Sequence, residues 1–220
     1  MKPNPQVTGQ IVALVVFSNL TQLHIKNMEM NVMDTLNTKM VRPLDPSSHD
    51  AVKVPFQLPA GGANEGQFAF KSEKVGVPQK LRATLTYMIQ NENGATSEKL
   101  DFKFAVPCSS YIIPTACSSD HFAALLSSGE LTEKVSTEVA VATEVDFITI
   151  ISKICHKLHL SVVERVDNSA SLFGRSILQD NLCFLVKKSE TNVTVDAKSS
   201  DHALVSNIFE EMKSLLKELQ

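Results

Sequence analysis

The chain has 220 residues, of which 43% are hydrophobic and 20% charged, and a formal net charge of -3. This length accommodates one large domain or two modest ones, and the composition is that of an ordinary globular protein. The negative net charge argues against a general nucleic-acid binder, which needs a basic surface. The longest apolar run, residues 11–17, is too short to cross a membrane, so we expect no membrane insertion.

The first hundred residues predict strands separated by turns. Apolar and polar residues alternate over 52–58, 81–89 and 100–106, which places each apolar set on one face of a strand. Between the last two runs lies NENGA, residues 91–95, whose Asn-Gly step suits a tight hairpin. No helical period competes in this half. We therefore predict an Ig-like antiparallel β-sandwich over residues 1–106.

Two local features of this half carry further predictions. In residues 23–33 the apolar side chains occupy odd positions at first and even positions after Lys26 and Asn27. A β-bulge near these two residues would restore the phase of the strand. The glycine-rich segment AGGANEG, residues 60–66, is predicted to be a loop.

After Pro107 the pattern changes to a mixture of helices and strands. Ser119 or Asp120 can cap a first helix that ends at Gly129, Thr143 can cap a second, and a third begins near Asp201. Strands are predicted at 135–141, 160–166, 182–187 and 192–198. We therefore predict an α+β platform over residues 107–220, which makes the whole chain mostly β with a sandwich followed by an α+β layer.

The segment ICHKLHL, residues 154–160, raises the question of enzymatic chemistry. Cys155, His156 and His159 could form a zinc site, a nucleophile with its base, or a structural group. Neighbouring side chains on a helix point about 100° apart, so the spacing favours the structural interpretation. The chain also lacks GxSxG, HExxH and phosphate-binding glycine motifs. We predict no catalytic residue, metal or cofactor, and a Cys/His hydrolase remains as the alternative.

Cysteine usage favours a reducing compartment. Cys108, Cys117, Cys155 and Cys183 show no CxxC spacing, and a chain of this length does not need disulfides. The first residues, MKPNPQ, have no apolar segment of the secretory type, so we expect no signal peptide. These features predict a cytoplasmic protein.

Several segments resemble the appendage, or ear, domains of clathrin-adaptor large subunits, and within that family the delta-subunit ears of adaptor protein complex 3. They are VTGQIVALVVFSNL (7–20), KLDFKF (99–104), PCSSYIIPTACSSDHFAALLSSGEL (107–131), SVVERVDNSASLFGRSI (161–177) and SSDHALVSNIFEEMKSLLKEL (199–219). The resemblance runs over essentially the whole chain. It implies a sandwich followed by a platform that binds other proteins.

The resemblance also implies a function. It indicates a non-enzymatic, protein-binding appendage of a vesicle-coat adaptor, located in the cytoplasm and peripheral on Golgi and endosomal membranes. Such an ear recruits or regulates accessory or tethering proteins in transport to lysosomes and related organelles, and other subunits of the same complex are further partners. The alternative is an ear that folds back on its own adaptor complex as an internal regulator.

The peptide site of the family does not carry over directly. Ears of the alpha type place a tryptophan on the first platform helix, whereas this chain has none. The equivalent position is Leu125, Phe122 matches the neighbouring phenylalanine, and LCFLVKK (182–188) offers valine and lysine where the alpha type has basic residues. Phe122, Leu125 and Lys188 are therefore candidates for a platform contact, although helical spacing favours a core role for Phe122 and Leu125.

Overall fold

The computed structural model describes residues 1–4, 6–43, 50–92 and 94–219. The chain forms two compact units. The first, here called the sandwich, comprises Met1–Glu73 and Gln79–Val106; the second, called the platform, comprises Lys74–Pro78 and Pro107–Gln220. That residues 1–106 and 107–220 fold as separate domains stays a prediction. Within the described ranges, no helix combines the length and the apolar character needed to cross a lipid bilayer.

The sandwich is built from two antiparallel sheets. Its strands are β1 (Lys2–Pro3), β2 (Gln10–Ser18), β3 (His24–Val32), β4 (Thr38–Met40), β5 (Val52–Lys53), β6 (Ala63–Ser72), β7 (Gln79–Asn91) and β8 (Gly94–Val106). One sheet has the order β1-β2-β6-β4 and the other β5-β3-β7-β8. Period-two alternation turns one face of each sheet inward. The Phe70 ring of one sheet lies 6.2 Å from the Phe104 ring of the other.

The predicted bulge and hairpin of the sandwich are both present. The register between β3 and β7 shifts between Lys26 and Glu29, and Asn27 adopts a positive φ of 51°. Asparagine tolerates this backbone conformation better than most residues, which explains its place in the bulge. Asn91 pairs with Gly94 across the β7–β8 turn. Asn93 of the predicted Asn-Gly step lies outside the described residues.

The prediction of a loop over 60–66 is right for 60–62 and wrong for 63–66, because β6 already begins at Ala63. A Cβ atom at Gly66 would lie 3.1 Å from the Phe17 ring and 3.2 Å from the Phe68 ring. The glycine therefore makes room for two aromatic rings inside a strand and does not signal a turn. The alternation over 52–58 also overstates the strand there, since pairing covers only Val52–Lys53 and a single bridge between Ile25 and Leu58.

Over its described residues the platform contains one turn of 3-10 helix at Cys108–Tyr111, three α-helices and six strands. They follow in the order β9 (Ile112–Pro114), α1 (Ser119–Ser127), β10 (Glu133–Ala140), α2 (Phe147–Leu158), β11 (Ser161–Val166), β12 (Ser169–Ser176), β13 (Asn181–Lys188), β14 (Asn192–Ser199) and α3 (His202–Lys217). The antiparallel sheet has the order β10-β14-β13-β12-β11, with β9 on β12. The predicted fold class, mostly β with a sandwich and an α+β layer, is confirmed.

Side-chain caps define where the platform helices begin. Ser118, one residue before the predicted positions, accepts from the His121 N–H and starts α1. Asp146 starts α2, because its carboxylate accepts from the Thr149 N–H at 2.8 Å, so the prediction that Thr143 caps this helix is wrong. Asp201 caps α3 close to the predicted start. Such caps satisfy backbone donors that have no partner in the first turn.

The inner face of the platform sheet carries α3. Ala170, Leu172, Leu182, Phe184, Val186, Val193, Val195 and Ala197 alternate along β12, β13 and β14 and are at most 5% exposed. The buried apolar residues of α3 are at most 7% exposed and pack on β10 and β14, and α2 packs against α3. Burying this face leaves the opposite face of the same strands for other contacts.

Candidate protein-binding surface

Helix α1 covers one end of the outer face of the platform sheet. Phe122 and Leu125 project from it and are only 5% and 6% exposed. They form a core cluster with Phe173 of β12, Cys183 of β13 and Leu131. At the carboxyl end of the helix the Lys198 Nζ donates to the carbonyl oxygen of Leu126 at 3.5 Å. The helix therefore belongs to the core of the platform on this side.

Beyond α1 the outer face lies open, and its residues follow from the strand register. Cys183, Leu185 and Lys187 alternate along β13 on this face. Next to Leu185 lie Ser171 on β12 and Asp196 on β14. Adjacent strands are about 4.8 Å apart, so side chains in such a row are within reach of one ligand. The row therefore presents an apolar centre between polar neighbours.

These residues line a groove of about 380 Å³, here called the platform groove. It is lined by Glu164, Val166, Ser171, Leu185, Lys187 and Asp196, among others. Leu185 is 42% exposed and Val166 is 59% exposed. Half-exposed apolar side chains in a concave, hydroxyl-lined surface are suited to contact an apolar side chain of a partner.

Of the charged side chains that line the platform groove, Asp196 has an ion pair, whereas Lys187 and Glu164 have none among the described residues. The Lys134 Nζ lies 3.4 Å from the Asp196 Oδ1, which partly neutralises that carboxylate. Neither Lys187 nor Glu164 has an ion pair with another residue that the structure describes. Lys187 stands two positions from Leu185 on the same face of β13, about 7 Å along the strand. An acidic group close to an apolar one would match this pair.

The three residues singled out from the sequence do not come together in this groove. Phe122 and Leu125 are buried under α1, in the core position that their spacing favours. Lys188 lies at the far end of β13, about 17 Å along the strand from Cys183. Strand alternation turns Lys188 to the opposite face from Lys187, and its backbone N–H donates to the carbonyl oxygen of Asn168. A role of these residues in binding stays a prediction.

Sequence reasoning missed Leu185, Lys187 and Val166 as surface candidates. A signal for the first two was present, because the alternation in LCFLVKK groups Leu185 with Lys187 and separates both from Lys188. The pairing of Val166 with Ser169, and of Ser169 with Lys187, depends on strand order and register. Strand order and register cannot be deduced from a single sequence without the tertiary fold.

The Cys155 thiol and its neighbouring imidazoles point in different directions. Cys155 is half-buried on α2, His156 is exposed, and His159 ends the helix with a φ of 55°. The His159 Nδ1 lies 2.8 Å from the carbonyl oxygen of Ser109, so this ring joins α2 to the 3-10 turn. No hydrogen bond within the described ranges links the Cys155 sulfur to either ring. This geometry assigns His159 a structural contact.

Burial raises the pKa of all four cysteine thiols, Cys117 included. The pKa of Cys155 rises to about 11, and those of Cys108 and Cys183 to about 12. A thiol with a raised pKa is a poor nucleophile at neutral pH, because only the thiolate attacks. Among the described residues no group of three or more His, Cys, Asp and Glu side chains is arranged to hold a metal ion.

Comparison with known proteins identifies relatives of the chain. A family model described as AP3 Mu C-terminal domain matches residues 109–217, which lie in the platform. The AP-3 complex subunit delta-1 of Bos taurus is 46% identical over 211 residues, or 96% of this chain. The chain spans 17% of the length of that relative.

The two matches agree on one complex, although the family description names a mu subunit and the relative is a delta subunit. The delta similarity is the more extensive, since it runs through both the sandwich and the platform. The identity of 46% extends over nearly the whole chain, which folds as an antiparallel sandwich followed by an α+β unit. This combination identifies the family. The chain belongs to the family of delta-subunit appendages of adaptor protein complex 3.

Proposed function

We propose that this chain is a non-enzymatic, protein-binding appendage of a vesicle-coat adaptor subunit. The similarity to the AP-3 delta-1 subunit over 96% of the chain carries this proposal. The appendage would recruit or regulate accessory and tethering proteins in transport from endosomes and the Golgi to lysosomes and lysosome-related organelles. It would act on the cytoplasmic side of these membranes through the parent complex.

The platform groove supports this proposal with a surface of suitable size. The groove joins half-exposed Leu185 and Val166 to the ammonium group of Lys187, which has no ion pair among the described residues. A short peptide with an apolar side chain followed by a carboxylate about 7 Å away would contact both. Such a peptide buries little area and becomes ordered on binding, so we expect micromolar or weaker affinity.

The proposal is tested by affinity capture from cytosol with the full chain as bait and quantitative mass spectrometry as readout. Leu185→Thr removes the apolar contact and retains good strand propensity. Ile148→Thr is the matched control, because Ile148 is also exposed, at 61%, but lies on α2. Losing the burial of one leucine side chain costs about 1.5 kcal/mol, which corresponds to roughly tenfold weaker binding.

The expected result is that accessory or tethering proteins of vesicle traffic are retained by the wild type and the control, and lost with Leu185→Thr. Retention of subunits of the same adaptor complex in their place would favour an appendage that folds back as an internal regulator. Capture of no trafficking protein by the wild type would count against a recruiting function. Equal capture by the wild type and Leu185→Thr would show that the partners bind outside the platform groove.

A further inference from the structure

One edge of the sandwich offers backbone groups without a neighbouring strand. Strand β2 pairs with β6 along its whole length, but on its other side β1 meets only Ile11 and Val12. Within the described residues no strand pairs with positions 14–18 on that side. Alternate N–H and C=O groups of this segment therefore point outward, as they do along any open sheet edge.

This open edge lacks the charges that protect sheet edges. Residues 14–18 are Leu, Val, Val, Phe and Ser, and all of β2 is uncharged. Strand β8, the edge of the other sheet, carries Glu98, Lys99, Asp101 and Lys103. Charged side chains keep an edge strand from pairing with another chain. The contrast makes the β2 edge more open to a further strand than the β8 edge.

An apolar groove of about 360 Å³ runs beside this edge, between the two sheets of the sandwich. Its lining includes Val15, Phe17, Leu85, Tyr87, Leu100 and Phe102. Leu100 is 51% exposed, and Leu14 and Val16 on the outer face of β2 are 53% and 61% exposed. A strand added to β2 would turn alternate side chains into this groove.

Two carboxylates lie near the open edge and its groove, whereas the cation of Lys2 lies near Leu14, at the end of the edge next to β1. Glu65 pairs with Val16 across β2 and β6, and Glu98 lies two positions from Leu100 on the face that carries the groove. Neither carboxylate has an ion pair in the part of the chain that the structure describes. Beside Leu100 and Glu98, charge complementarity therefore favours a basic segment over an acidic one.

We propose that the β2 edge over residues 14–18 binds an extended segment of a partner protein by strand addition. The segment alternates apolar and polar residues, its apolar side chains fill the groove beside Leu100, and a Lys or Arg faces Glu98. This surface lies within the sandwich and does not depend on the platform groove.

The test is selection from a displayed library of random ten-residue peptides, with the immobilised full chain as bait. Enriched peptides should carry apolar residues two positions apart together with a Lys or Arg. Val16→Lys places a protective charge on the edge, and binding of the enriched peptides should fall at least tenfold. Met33→Lys, at a side chain 63% exposed outside the groove lining, is the matched control and should bind as the wild type does.

Two further measurements separate strand addition from other contacts. Hydrogen exchange with the best peptide should slow at least tenfold at amides within residues 14–18, and Glu98→Gln should weaken binding about threefold. No enriched peptide class, or enriched peptides that bind Val16→Lys unchanged, would overturn the proposal. A wild-type dimer that Val16→Lys dissociates in sedimentation velocity would also overturn it, because the edge would then pair with a second copy.

Discussion

The side-chain amide of Asn207 donates to the carbonyl oxygen of Gly76, 2.8 Å away in space and 131 residues earlier in the chain. The same amide donates to the carbonyl oxygen of Ala203 at 2.9 Å, within α3. A Cβ atom on Gly76 would lie 3.1 Å from both the Ala203 Cβ and the Leu204 nitrogen. Contact and hydrogen bond together hold residues 74–78 against the beginning of α3.

Asn207→Ala should therefore destabilise the platform. Both hydrogen bonds are lost and a partly buried carbonyl group is left without its donor, at a cost of about 1–2 kcal/mol. Urea unfolding followed by circular dichroism measures the change. Asn192→Ala is the control, since its side-chain amide donates to the Glu138 carboxylate at an exposed position. Equal stability of the two variants would show that the Gly76 contact contributes little.

Gly174→Ala should destabilise the platform through a steric clash. A Cβ atom at this position would lie 2.7 Å from Leu160 Cδ2 and 2.8 Å from Ile112 Cγ2, and both side chains are buried. Overpacking of a filled core costs about 1–3 kcal/mol. Ser171→Ala on the other face of the same strand should change the free energy of unfolding by less than about 0.5 kcal/mol. Thermal unfolding with no difference between the two would contradict the predicted clash.

The raised thiol pKa values predict slow alkylation. At pH 7.5 the folded protein should react with iodoacetamide at Cys108, Cys155 and Cys183 at least tenfold more slowly than the unfolded protein does, because burial suppresses the thiolate. Peptide mapping by mass spectrometry gives the rate at each site. Rapid labelling of Cys155 in the folded state would instead support the Cys/His hydrolase.

The same pKa values predict a loss of stability at alkaline pH. Cys183 has an ordinary pKa of 9.0, and burial raises it to about 12 in the folded chain. The folded state therefore retains a proton that the unfolded state releases, so the contribution is complete below pH 9 and declines as pH rises towards 12. The free energy of unfolding between pH 8.5 and 10.5 should fall more steeply for the wild type than for Cys183→Ala. Parallel slopes would contradict this assignment.

Local features were predictable because their causes are local. Asn27 stands where the apolar phase changes, so the bulge could be recognised from a short segment. The helices of the platform follow from their apolar period, although the cap of α2 was misplaced by three residues. Gly66 was wrongly placed in a loop. In a single sequence, a strand glycine that makes room for two aromatic rings cannot be distinguished from a glycine in a turn.

The binding surfaces were not predictable in the same way. The platform groove combines residues from β11, β12, β13 and β14, and their meeting depends on strand order and register. The β2 edge is open because β1 is only two residues long and pairs with Ile11 and Val12 alone among the described residues. The sequence of β2 itself does not show how long its neighbouring strand is. Such sites arise from tertiary pairing, whereas period and capping are properties of single segments.

The short segment Lys74–Pro78 makes the platform discontinuous in the chain. It interrupts the sandwich between β6 and β7, yet Val75 is 2% exposed and Gly76 contacts α3. The polypeptide therefore passes between the units three times, and a fragment that starts at residue 107 lacks part of its own core. Recombination at one junction would not transfer the whole platform, and a single proteolytic cut would not release it intact. The two units should therefore be exchanged and expressed together.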